Sequence, residues 1–112
     1  MGDLTAFAVR HLETFNAAVR SGDFAPLVDL FAEDASLEFV GVPVGPFVGR
    51  DAIAAAYAAQ PPTDTMAVLS IRVEDDGTVV EPFSWSGEAG AGSGEMRLVV
   101  SDDRIRRLVV VF

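Results

Sequence analysis

Three side chains stand where acid–base or hydrogen-bonding chemistry could be done. Glu81 lies in the run Val79-Val80-Glu81-Pro82-Phe83-Ser84-Trp85. Strand alternation places Val79, Glu81, Phe83 and Trp85 on one face, with Glu81 the lone acid among apolar neighbours. A carboxyl enclosed by Phe and Trp is desolvated and its pKa rises, which makes an acid or base that works near neutral pH. The same face turned to solvent or to a partner, or an arginine beside Glu81, would leave an ordinary carboxylate. His11 is the only imidazole in the chain. It sits one helical turn before Phe15, on or beside an apolar stripe, aimed at the interior or bonded to a carbonyl or carboxylate. Tyr57 shares the inner face of a later helix with Ile53 and Ala56, its hydroxyl either satisfied in the core or offered to a ligand.

Other chemistries are excluded by composition. There is no cysteine, hence no disulfide, thiol nucleophile or thiolate metal site. All eight basic residues are arginine, so no side-chain amine is present to form a Schiff base. A single histidine would need three carboxylates beside it to hold a transition metal, and the spacing shows none. No metal and no cofactor are expected. The run Gly90-Ala91-Gly92-Ser93-Gly94 lies between strands with no helix after it, which reads as a turn and not a phosphate cradle. A net charge of −9 argues against nucleic acid, whose phosphates require a basic footprint. No signal-peptide pattern opens the chain, and no apolar run reaches the roughly 18 residues of a membrane span. On these features a soluble, cytoplasmic chain with no membrane partner is expected. At 112 residues, half of them hydrophobic, residues 1–112 are expected to form one domain with its own core.

The elements that must position these residues follow from periodicity. Leu4, Ala8, His11, Leu12, Phe15, Ala18 and Val19 make a helical stripe over Leu4 to Ser21. Gly22 closes that helix in the left-handed conformation, and Asp23 caps a second helix with Pro26 in its first turn. Leu27, Leu30 and Phe31 give the second helix an apolar face, with Glu33-Asp34 at its end. Leu37 and Phe39 then alternate as a strand. Residues 41–49 are an apolar Gly/Pro loop, set to pack over a pocket mouth. Asp51 caps a third helix that Pro61-Pro62 stops. Strands are expected over Thr65–Glu74, Val79–Ser86, Met96–Val100 and Ile105–Phe112, with a turn at Asp75-Asp76-Gly77 and a flexible connection over Gly87–Gly94. Helices first and hairpins after make an α+β fold with an antiparallel sheet. Phe15, Phe39, Met66, Phe83, Trp85, Met96 and Leu98 can all face one cavity, as the lining for an apolar ligand or as its filling.

The stretch NAAVRSGDFAPLVDLFAEDASLEF (residues 16–39), followed by Gly45-Pro46-Phe47-Val48-Gly49-Arg50-Asp51-Ala52-Ile53 and a third helix, resembles the NTF2-like superfamily. That group includes ketosteroid isomerases, SnoaL-type polyketide cyclases and limonene epoxide hydrolases. The resemblance implies an NTF2-like cone, three N-terminal helices packed on a curved antiparallel sheet, with the Glu81 face lining the pocket. The isomerase uses an aspartate base with an oxyanion hole of a tyrosine and a protonated aspartate. Carried over by position, the oxyanion tyrosine falls on Phe15, the base on Phe39, and the protonated aspartate on Met96 or, one place off, Glu95. Phe and Met can neither take a proton nor stabilise an enolate, so isomerase activity through the usual residues is not expected. Glu38, beside Phe39, is turned to the other face. Tyr57 matches a helix-three tyrosine that supports the oxyanion network in some members, here without its centre.

The expected function is binding of a small hydrophobic molecule, with a SnoaL- or isomerase-type reaction in which Glu81 acts and Tyr57 or His11 assists. A non-catalytic ligand-binding or dimerisation module is the alternative. An epoxide-hydrolase-like site ranks last, because alternation turns Arg97 away from the Met96 face and leaves Arg72 as the other nearby arginine. The last strand is apolar on both faces, with Leu108, Val110 and Phe112 inside and Val109 and Val111 outside. A homodimer through the outer sheet face is expected on this ground, and the resemblance implies one too.

Overall fold

The computed structural model describes residues 3–86 and 92–112. Helix α1 runs Leu4–Ser21, capped by the Asp3 carboxylate, which accepts hydrogen bonds from the Thr5 and Ala6 amides at 3.0 and 3.3 Å. Its buried face is Phe7, Ala8, His11, Phe15 and Ala18. Gly22 ends it at φ 81°, donating its amide to the Ala18 carbonyl at 2.8 Å. Only glycine takes that conformation without penalty.

The second helix is much shorter than its apolar spacing suggests. Helix α2 covers Ala25–Val28, and Phe31 already opens strand β1, Phe31–Val40. Asp23 accepts from the Ala25 amide at 3.0 Å, but the residue at the cap position is Phe24. The helix yields because the Leu30 carbonyl accepts the Ile105 amide at 2.7 Å and Phe31 pairs with Ile105 in the sheet. A short strand β2 (Phe47–Val48) folds back on Ser36 and Leu37. Helix α3 (Arg50–Ala59) follows. Its cap position is Gly49, and Asp51 lies in its first turn without capping it. The Arg50 guanidinium instead reaches the Phe31 carbonyl from Nε and Nη2 at 3.0 and 2.7 Å. That carbonyl stands where the β1 register slips between Phe31 and Ser36.

The expected strand over 65–74 is two pieces, β3 (Met66–Val68) and β4 (Arg72–Val73), both pairing with β5 (Val79–Trp85). Strands β6 (Ser93–Ser101) and β7 (Arg104–Val111) complete the sheet. The connection expected over 87–94 lies outside the described residues from 87 to 91; Ser93 and Gly94 belong to β6. The strand order is β2-β1-β7-β6-β5-β3, with β4 also on β5. All pairs are antiparallel except β1 with β7, which run parallel. Helices packed on this curved, unclosed sheet form the α+β cone that the sequence implies.

Arginine–carboxylate pairs dress the outer face of the sheet. Arg107 holds Glu38 through Nε and Nη2 at 2.6 and 3.1 Å, and Arg97 reaches Glu95 at 2.9 Å and Glu74 at 3.3 Å. Arg107 and its surroundings hold the Glu38 carboxyl below its ordinary pKa. Among the described residues, no helix is long and apolar enough to cross a membrane.

Candidate functional site

Between α1, α3 and the inner face of the sheet lies a chamber of about 70 Å³. Helix α1 contributes His11 and Phe15, and α3 contributes Tyr57. The sheet contributes Leu37, Phe39, Met66, Trp85, Met96, Leu108 and Val110. Phe39, Tyr57, Pro62, Trp85 and Phe112 also wall a groove of about 600 Å³, so the two spaces adjoin. The groove carries Val42 and Val44 from the loop after β1, together with Gln60, Thr63 and Asp64. The loop of residues 41–46 thus stands at the mouth, where the Gly/Pro pattern places it.

Aromatic contacts fix the walls. Trp85 lies 6.3 Å from Phe15 and 5.3 Å from Phe83, the latter edge-on at 80°. Phe39 stacks on Phe112 at 6.3 Å, and Tyr57 on Phe24 at 5.4 Å. Such pairs prefer offset or edge geometries and resist collapse into one another.

Of the residues the sequence singles out, Phe15, Phe39, Met66, Trp85, Met96, Tyr57 and His11 meet at the chamber. Phe83 and Leu98 face inward but are wholly buried in the core and line neither space. Phe83 sits between Glu81 and Trp85 on β5 and pairs with Gly94, and Leu98 pairs with Val79.

Glu81 also faces inward and is 0 % exposed, yet lines neither space. Its strand partner is Met96, which does line the chamber. Neither carboxylate oxygen has a hydrogen-bond partner, and burial pushes its pKa from 4.5 up to about 7. His11 is 1 % exposed, with both ring nitrogens likewise unpartnered. Burial pulls its pKa from 6.5 down to about 4, so the imidazole is neutral at ordinary pH. Among the described residues, these two side chains carry all the buried side-chain polar atoms that lack a partner. Burial raises the Tyr57 phenol well above its ordinary value, so it is a hydrogen-bonding group and not an acid.

Asn16 is a structural contributor that periodicity does not reveal. Its amide donates to the Met66 carbonyl at 3.0 Å and accepts the Met66 amide at 2.9 Å, in the manner of a neighbouring strand. This clamp holds β3 against α1 and keeps Met66 in the chamber wall. The only legible signal is a polar residue beside the buried stripe of α1. Among the described residues, no three His, Asp or Glu side chains gather to hold a metal ion.

A helical layer over a curved sheet, enclosing an apolar chamber, is the fold that the chain shares with its structural neighbours. The SnoaL-like domain model matches residues 12–108, and the chain belongs to that family. No curated protein matches the chain. Among solved structures, a proposed isomerase from Bacillus subtilis superposes with a TM-score of 0.79 at 22% identity, covering 98% of this chain and 88% of that one. A proposed ketosteroid isomerase from Kribbella flavida gives 0.75 at 17% identity, covering 96% and 76%. A Mycobacterium tuberculosis protein in complex with estradiol-17beta-hemisuccinate gives 0.70 at 14% identity, covering 93% and 92%. At these identities the likeness is one of fold, and the fold hosts many chemistries.

Proposed function

We propose that this SnoaL-like domain binds a small, largely apolar molecule in the groove and the adjoining chamber. The observation that carries the reading is an apolar-walled chamber opening beside a groove, with His11, whose two buried ring nitrogens lack partners, in its lining. A buried polar group without a partner costs about 1–3 kcal/mol, a cost a ligand would relieve. The groove, at about 600 Å³, is within the range of small-molecule sites. The steroid complex of the M. tuberculosis neighbour makes steroids a sensible first probe. Trp85 is the single tryptophan and borders both spaces, so its emission reports occupancy. Titration with steroids and smaller terpenoid ketones should shift or quench it saturably. Emission and calorimetric heat that stay flat across the panel would overturn the reading.

Catalysis by Glu81 is the second reading, supported by its unpartnered, desolvated carboxyl with a pKa of about 7. That value suits proton transfer at neutral pH. Glu81 does not line the chamber, so the reaction would require the wall beside its strand partner Met96 to open. His11 and Tyr57 would then orient the substrate. Any native activity should be abolished by Glu81→Gln, and survival of activity in that variant refutes the role. Δ5-to-Δ4 steroid isomerisation should stay at background, since Phe15, Phe39 and Met96 occupy the working positions.

A homodimer through the outer sheet face completes the proposal. Val40 and Val99 are 51% and 40% exposed there, beside the half-buried Val109 and Val111. Sedimentation at micromolar concentration should give a species near twice the chain mass, and Val109→Asp should split it. A lone species at 11.9 kDa refutes the dimer.

A further inference from the structure

We infer that His11 is the specificity-determining contact of the chamber, selecting an uncharged ligand that enters with a hydroxyl or carbonyl group leading. The inference rests on the ligand-binding reading above and adds the chemical class of the ligand and its orientation.

Size comes first. The chamber, at about 70 Å³, is far smaller than the groove of about 600 Å³ beside it. It takes the leading end of a ligand, and most of the body lies in the groove between Phe39, Trp85 and Val44. The tip then meets walls that carry no charged side chain.

Chemistry follows from the protonation state. A neutral imidazole presents one N–H donor and one acceptor nitrogen. On His11 both are unpartnered and buried, so a small turn of the ring must bring one of them to the tip, and burial keeps the ring uncharged down to about pH 4. A hydroxyl can accept from the first or donate to the second, and a carbonyl can accept. A hydrocarbon tip leaves both nitrogens unpaired. A carboxylate tip would enter an apolar space with no cation to meet it, which is strongly unfavourable. Tyr57, the other polar side chain on this wall, is held as a neutral phenol by burial. It too is compatible with an uncharged tip.

Three elongated probes of one shape separate these cases: biphenyl, 4-phenylphenol and biphenyl-4-carboxylate. Calorimetry on the wild-type chain should show 4-phenylphenol binding about tenfold tighter than biphenyl, the discrimination of one buried hydrogen bond. The carboxylate should bind more weakly than the phenol. His11→Phe should abolish the phenol preference while still binding biphenyl, and His11→Gln, which keeps a donor and an acceptor, should retain part of it. As the chain has one histidine, its ring ¹⁵N signals are unambiguous. They should move with 4-phenylphenol and not with biphenyl, a readout on the wild-type protein that needs no variant to fold. Binding of biphenyl and phenol with equal affinity, a phenol preference that survives His11→Phe, or tightest binding of the carboxylate overturns the inference and leaves the ligand-binding reading standing. Absence of heat with all three probes and with the steroid panel overturns both.

Discussion

Replacing Glu81 by glutamine should change how stability depends on pH, by an amount the structure sets. In the unfolded chain the Glu81 carboxyl titrates near 4.5, and in the fold burial raises it to about 7. The folded chain therefore keeps a proton that the unfolded chain gives up. Stability from this group is fully present below about pH 4.5, falls as pH rises towards 7, and is level above that. At about 1.36 kcal/mol for each unit of pKa between the two states, the total fall is roughly 3 kcal/mol. His11 works in the opposite sense over nearly the same window. Its folded value of about 4 against 6.5 favours folding above pH 6.5 and is lost as pH falls towards 4. The wild-type profile thus conceals both terms, and a difference profile exposes one. Urea unfolding followed by Trp85 fluorescence and far-UV circular dichroism, at steps from pH 4 to pH 8, gives the unfolding free energy of each protein. Glu81→Gln minus wild type should rise by roughly 3 kcal/mol across that span. A flat difference would refute the claim that Glu81 is held protonated in the core, and with it the physical basis for any acid–base role.

His11→Phe should give the mirror image, with stability relative to wild type rising by roughly 3 kcal/mol as pH falls from 7 to 4; the same unfolding series checks it, and a flat difference counts against a neutral buried imidazole. Asn16→Ala should cost about 1–3 kcal/mol, because the Met66 amide and carbonyl both lose their partner, and should move the Trp85 emission maximum, since Met66 pairs with Trp85; unchanged denaturation and emission would show that the clamp is dispensable. Gly94→Ala should destabilise by about 1–3 kcal/mol through overpacking, because a methyl there would meet the Val111 carbonyl and lie 3.0 Å from the Phe83 ring; an unaltered melting temperature would disprove that close approach.

The two layers of the fold are legible in the sequence where the determinants are local. Gly22 and the stripe of α1 give that helix its observed limits, and Asp75-Asp76-Gly77 makes the expected turn, with Gly77 bonded back to Glu74 at 2.9 Å. The second helix is misread because Leu27, Leu30 and Phe31 satisfy a helical period, while the partner that draws Phe31 into a strand is Ile105, far along the chain. The break between β3 and β4 is set by β5 in the same way, as Leu69 donates to the Pro82 carbonyl at 2.8 Å. For the candidate site, alternation correctly turns Glu81, Phe83 and Leu98 inward. It assigns a face and not a depth, which is why these three are buried without lining the cavity while Trp85 and Met96 line it. Asn16 looks like an ordinary surface amide until Met66 is brought beside it.

The parallel pairing of β1 with β7 makes the fold's centre its latest event. Strand β7 lies between β1 and β6, so without it the sheet falls into two unconnected parts, β2-β1 and β6-β5-β3. As the chain emerges from a ribosome, β1 must wait while more than half of the sequence is made before its central partner arrives. Until then the strand edge that will receive β7 is bare, and Leu37 and Phe39 lack their inner neighbours Leu108 and Val110. Closing so long a loop makes folding slow relative to hairpin-linked sheets, and it exposes an unpaired edge to other chains meanwhile. Chains lacking residues 104–112 should therefore aggregate instead of folding to a smaller cone.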